Sequence, residues 1–171
     1  MNLTRNTLIV DTGFWLALAN RRDDNHQSAI RLFQKLQDVE FITTWCVVTE
    51  TCYLMQKRIG IDAPKVFIRK ITAGMVKIFD LAPVHCLRIE QLLEQYRNLP
   101  MDLADASLVI LAEELGHGRI LITSIKLLLT SSQIQSYRLS YSAPSRLSHI
   151  FEKLALESLV AAQVSSFTEL V

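Results

Sequence analysis

Along this chain, apolar runs of strand length alternate with longer segments of helical period. Runs of strand length fall at Leu8 to Asp11, Phe41 to Thr44, Val76 to Asp80 and Arg119 to Thr123. A strand that is apolar on both faces belongs to a sheet covered on both sides, which is the habit of parallel sheets. Between these runs, Thr12-Gly13-Phe14-Trp15 opens a helical pattern. Asn25 to Leu36 reads as an amphipathic helix with Ile30, Phe33 and Leu32 inward and Asp23 or Asp24 as its cap. Val47 to Lys57 and Ala63 to Thr72 follow as helices, the second opened by Asp62 with Pro64 in its first turn. Pro83 to Arg97 and Asp102 to Leu115 complete the set, and Gly116 and Gly118 end the last. The predicted order is βααβααβααβ, the alternation of an α/β protein with a central parallel sheet. Phe151 to Val171 has the pattern of one more amphipathic helix, beyond a Ser- and Leu-rich stretch with no acidic residue from 127 to 148.

With 171 residues and 50% hydrophobic content, the chain has the length for one domain with a substantial core and too little for two ordinary ones. Its 18 basic and 17 acidic residues nearly cancel, to a net charge of +1. That balance excludes a polycationic protein that coats nucleic acid, so any such contact must come from a local patch. Lys65, Arg69, Lys70 and Lys77 are the candidates for one, although such a group is ordinarily a solvated face. Three cysteines, Cys46, Cys52 and Cys86, lack paired metal-site spacing and suit reduced structural thiols in a cytoplasmic protein. No run approaches the roughly 18 apolar residues of a membrane span, and Asp11 interrupts the only stretch that imitates a secretory signal. Neither a P-loop nor the Gly-x-Gly-x-x-Gly or Gly-x-Ser-x-Gly pattern is present, which removes the nucleotide-binding and serine-hydrolase classes those motifs mark.

The chemistry lies in the acids. Asp11 stands where the first strand gives way to a helix, and the carboxyl ends of strands are where open α/β sheets place their sites. An ionisable group there is costly unless it binds something. Glu50 sits in Thr44-Trp45-Cys46-Val47-Val48-Thr49-Glu50-Thr51, and Asp102 and Asp105 sit in Met101-Asp102-Leu103-Ala104-Asp105-Ala106-Ser107, both apolar surroundings. The plain alternatives are a helix cap for Asp11 and Asp102, a first-turn carboxylate for Asp105 and an exposed helix face for Glu50. Gathered together, three or four carboxylates repel one another and need a cation. Hard oxygen donors without a supporting His or Cys cluster suit Mg²⁺ or Mn²⁺, and such a site suits hydrolysis of phosphodiesters. His26, His85, His117 and His149 fall in unrelated contexts and read as surface or helix-end residues, while Trp15 and Trp45 read as core.

These pieces resemble the PIN-domain family, most closely the toxin ribonucleases of VapBC-type toxin–antitoxin pairs. The matching segments are Ile9-Val10-Asp11-Thr12-Gly13 with Leu16-Ala17-Leu18, Thr43 to Leu54 around Glu50, and Leu99 to Ser107 running into Leu111 to Gly116. The resemblance covers residues 7 to 124 and leaves 125 to 171 as a divergent tail on a single domain. It implies a three-layer α/β/α fold, Mg²⁺- or Mn²⁺-dependent endoribonuclease activity, an antitoxin that blocks the site, and a homodimer. Carried over, Asp11 is the first metal ligand, Glu50 the second acid and Asp105 the third, with Asp102 beside them and Thr12 placed to bond a ligand water. The family usually has a further aspartate after its fourth strand, where this chain reads Leu121-Ile122-Thr123-Ser124-Ile125-Lys126-Leu127. Ser124 in that slot leaves open a degenerate PIN domain that binds antitoxin or RNA without cutting. A phosphotransfer receiver domain is a third possibility, disfavoured by the single early Asp11 and the missing late-strand lysine.

Overall fold

A computed structural model describes residues 6–98 and 101–122. Thr123, Ser124, the tail from 125 and the helix expected from Phe151 to Val171 lie outside the described residues, as do residues 1–5 and Leu99 and Pro100. The elements run β1 (Thr7–Val10), α1 (Thr12–Ala19), α2 (His26–Lys35), β2 (Glu40–Thr44), α3 (Trp45–Arg58), α4 (Ala63–Thr72), β3 (Lys77–Phe79), a 3₁₀ turn (Pro83–His85), α5 (Cys86–Gln95), α6 (Leu103–Leu115) and β4 (Ile120–Leu121). The four strands form one parallel sheet in the order β3-β2-β1-β4, which is the architecture the alternation predicts.

The two central strands are buried along nearly their whole length, whereas the edge strand β3 is only partly covered. All four residues of β1 are buried, and Ile9 and Val10 have no exposed surface. β1 pairs with β2 in the register Leu8 to Phe41 and Ile9 to Ile42, and with β4 through Ile9 to Ile120 and Val10 to Leu121. The buried Thr43 hydroxyl donates to the Val10 carbonyl at 2.8 Å, so a polar side chain inside the sheet is satisfied. Trp15 of α1 packs edge-on to Phe41 and tilts against Phe67 of α4 at 5.6 Å, and Phe33 of α2 stacks on Phe41 at 5.4 Å. These rings cover the sheet on one side and join three helices to β2. On α6, Leu108, Val109 and Leu111 are fully buried, so this helix is apolar almost all round, as a buried helix should be.

Several local expectations are corrected. The predicted helix from Pro83 to Arg97 is broken into a 3₁₀ turn and α5, because the His85 ring takes the Ala82 N–H at 2.9 Å and tightens the first turn. Neither Asp23 nor Asp24 is the cap residue of α2. That position is Asn25, and Asp23 instead accepts from the Asn25 N–H at 2.9 Å in a turn before the helix. Ile30 is only half-buried, and the inward positions of α2 are His26 and Ala29 with Leu32 and Phe33 packed beside them. Trp45 is not core: half of its surface is exposed, since it starts α3 at the rim of the sheet. His26, at the start of α2, is buried, and its Nδ1 bonds the Ala17 carbonyl at 2.8 Å, fastening α2 to α1.

Candidate active site at the carboxyl end of the sheet

Asp11 is the single residue between β1 and α1. Its N–H donates to the Leu121 carbonyl of β4 at 3.0 Å, and its carboxylate caps α1 by accepting from the Thr12 N–H at 2.6 Å. Both bonds hold the carboxyl at the carboxyl end of β1 beside β4. The cap expected of Asp11 is therefore real, and it does not exhaust what the residue experiences. Its pKa is raised from 3.8 to about 7, first by burial and then by the negative charges of Asp105 and Glu50, against the lowering effect of the Thr12 and Gly13 N–H groups. The charges of two acids from distant parts of the chain, the farther 94 positions away, thus reach Asp11 at one end of the sheet.

Glu50 reaches this place from α3, which leaves β2 with no intervening residue and is capped by Thr44. It does not lie on an exposed helix face. Its Oε2 accepts the Thr12 hydroxyl at 2.6 Å, so the residue after Asp11 holds the second acid. A hydroxyl has one proton, and the short contact to the carboxylate claims it; the Val47 carbonyl at 3.4 Å is secondary. Asp102 and Asp105 open α6 as a reciprocal capping box: Asp102 accepts from the Asp105 N–H at 2.9 Å, and Asp105 accepts from the Asp102 N–H at 3.2 Å. Asp105 is half-buried, whereas Asp102 is exposed. Three helix starts, those of α1, α3 and α6, share this end of the sheet, and their dipoles favour anions there.

Among the described residues, no group of three or more His, Cys, Asp or Glu side chains is gathered tightly enough to form a metal site as it stands. The donor chemistry fits a hard divalent cation all the same. Asp11, Glu50 and Asp105 are oxygen donors, and burial first, then the nearby charges of Asp105 and Glu50, raise the pKa of Asp11, a penalty on its ionised form that a cation would relieve. His85, His117 and the cysteines are not gathered with them. All three cysteines are free, and burial pushes the thiols of Cys46 and Cys52 up, away from reactive thiolate.

Reading the sequence alone missed Thr44 and Ser107. Both are fully buried, and their hydroxyl oxygens lie 2.6 Å apart, between the start of α3 and the first turns of α6. The available signal was Ser107 itself, a hydroxyl inside a helix that is otherwise apolar from Ala106 to Ala112.

A parallel sheet flanked by helices, with acids from three elements at the strand carboxyl ends, defines an α/β protein built to hold charge at that edge. The chain belongs to the PIN domain family, whose model matches residues 8–124. It is similar to ribonuclease VapC26 of Mycobacterium tuberculosis, at 24% identity over 106 residues that cover 62% of this chain and 78% of that protein. It also resembles in fold the crystal structure of Mycobacterium tuberculosis VapC20, described as a sarcin-ricin loop cleaving toxin, with a TM-score of 0.58 and 24% identity over 64% of this chain and 83% of the other.

Proposed function

We propose that the chain is a Mg²⁺- or Mn²⁺-dependent endoribonuclease, the toxin member of a toxin–antitoxin pair. The observation that carries this is the meeting of acids from separate elements at the carboxyl end of the sheet, where Glu50 Oε2 accepts the hydroxyl of Thr12, next to Asp11, at 2.6 Å, and the charges of Asp105 and Glu50 reach the buried Asp11. Membership of the PIN family and similarity to a protein named a ribonuclease support it. In this reading Asp11, Glu50 and Asp105 hold the cation, with Asp102 at its edge, and the bound cation supplies an activated water and neutralises charge on the phosphate. The remaining residues orient. Thr12 fixes Glu50 through its hydroxyl, and the Asp102 N–H fixes Asp105. The N-termini of α1 and α3 turn positive ends toward the phosphodiester.

The partners in this reading are RNA, a cognate antitoxin that covers the acid site, and a second copy of the chain. Trp45 and Tyr53, exposed on α3, supply apolar surface for association. Free cysteines agree with a cytoplasmic setting, and among the described residues no helix is long and apolar enough to cross a membrane. A second reading, a PIN domain that binds RNA or antitoxin without cleaving, is favoured by Ser124 in place of the family's further aspartate.

The test is a Mn²⁺ and Mg²⁺ titration of the purified full chain with a labelled structured RNA, run beside Asp11→Asn. Metal-dependent cleavage that the substitution abolishes supports the nuclease. Binding of RNA without cleavage by either protein replaces it with the binding module.

A further inference from the structure

Glu50 and Asp105 sit on different helices, and their spacing is set wherever those helices are fastened to each other. We propose that Thr44 and Ser107 form a hydroxyl clamp that fixes this spacing, acting as positioning residues for the cation site, an inference that rests on the nuclease reading above. The contact is 63 residues long in sequence, 2.6 Å long in space and fully buried on both sides.

The protons in the contact can be assigned. Ser107 Oγ donates to the Ala104 carbonyl at 2.7 Å, which uses its one proton. Thr44 must therefore donate to Ser107. The Thr44 oxygen in turn accepts the Val47 N–H at 3.3 Å, as the cap of α3. A directed chain results, from the Val47 N–H through Thr44 and Ser107 to the Ala104 carbonyl, in which each donor has an acceptor.

Position gives the chain its consequence. Thr44 is six residues before Glu50 and belongs to the cap that aims α3; Ser107 is two residues after Asp105, in the opening turns of α6. α3 grows straight out of β2, so its direction is tied to the sheet. α6 follows another helix, and no strand precedes it to fix where its first turn stands. Apolar packing of Leu108 and Leu111 holds α6 against the sheet but tolerates sliding, whereas a short hydrogen bond in a buried place does not. Losing the Ser107 hydroxyl leaves the buried Thr44 proton without its acceptor, and the two helices must shift to satisfy it.

The experiment measures binding of Mn²⁺ alone to the full chain by calorimetry, with the melting temperature of every variant alongside. The variants are Ser107→Ala, Thr44→Val, both together, Thr44→Ser and the control Asp11→Asn. The clamp predicts that Ser107→Ala weakens Mn²⁺ binding by about 10- to 100-fold, the range found when a group that orients a metal ligand is lost. Thr44→Val weakens it similarly, the double substitution is no worse than the weaker single, and Thr44→Ser, which keeps the hydroxyl, retains affinity. A lowered melting temperature in Ser107→Ala with unchanged Mn²⁺ affinity makes the contact merely structural and overturns the clamp. Should Thr44→Val lose its helix cap and fail to fold, Ser107→Ala and Thr44→Ser decide the matter by themselves. Mn²⁺ binding by the wild type that Asp11→Asn leaves intact overturns the cation site and the clamp with it. Binding lost in Asp11→Asn but kept in Ser107→Ala overturns the clamp alone.

Discussion

Replacing Asp11 by Asn should make the metal-free protein more stable in alkaline solution. The Asp11 carboxyl rises from 3.8 to about 7 on folding, through burial first and through Asp105 and Glu50 next. Between those values the folded chain keeps a proton that the unfolded chain has lost, so stability falls as pH rises through this window and levels off above it. Below about pH 4 both states are protonated and the penalty vanishes. A displacement of this size corresponds to on the order of 4 kcal/mol, and solvent at the open edge of Asp11 reduces it to about 2–4 kcal/mol. Asn carries no charge yet still caps a helix, so the bond from the Thr12 N–H survives the substitution. Urea unfolding of both proteins in chelator, at steps from pH 3 to pH 8, isolates the effect as a difference, because every other titrating group is common to the two. The proteins should be nearly equal at the acid end, and the Asn variant should lead by about 2–4 kcal/mol at the alkaline end. A difference that stays flat across this range, or one that favours the wild type at pH 8, refutes the raised pKa of a buried Asp11.

Three further outcomes are expected. Leu111→Ala, at a position with no exposed surface in α6, should cost about 2–5 kcal/mol by urea unfolding, and a loss under about 1 kcal/mol would mean that α6 is not the packed centre described. Gly116→Ala should cost roughly 1 kcal/mol although nothing lies within 4 Å of the added carbon, because the residue caps α6 with φ at +66°. Acrylamide should quench one of the two tryptophans, since Trp15 is 1% and Trp45 50% exposed, and Trp45→Phe should remove the quenchable emission.

The βααβααβααβ order was legible because each central strand carries an apolar stretch, Leu8 to Val10 and Phe41 to Ile42, that ends up buried. Asp11, Glu50 and Asp105 were legible for the complementary reason, as lone acids in apolar surroundings. Partnerships between distant residues were not. That the Thr12 hydroxyl serves Glu50, or that Thr44 meets Ser107, depends on how two helices lie across the sheet, and no local period encodes it. Trp45 misled because its hydrophobicity says core, while its place at the first position of α3 puts it on the rim. Pro83 has the pattern of an ordinary helix start, and the tightening by the His85 ring depends on a side-chain bond that propensity does not register.

The junctions between strand and helix also limit how such a chain can change length. One residue separates β1 from α1, and none separates β2 from α3. A helix that begins where its strand ends has no loop to absorb an insertion: one added residue turns everything after it by about 100° and carries Glu50 from the Thr12 hydroxyl to another face. The turn from Asn20 to Asn25 and the Gly60 to Asp62 link lie at other helix ends and carry no such constraint. Insertions and deletions should therefore be accepted in those two connections and rejected at Asp11 and at the Thr44–Trp45 bond, which leaves point substitution as the only route by which the acid end of the sheet can vary.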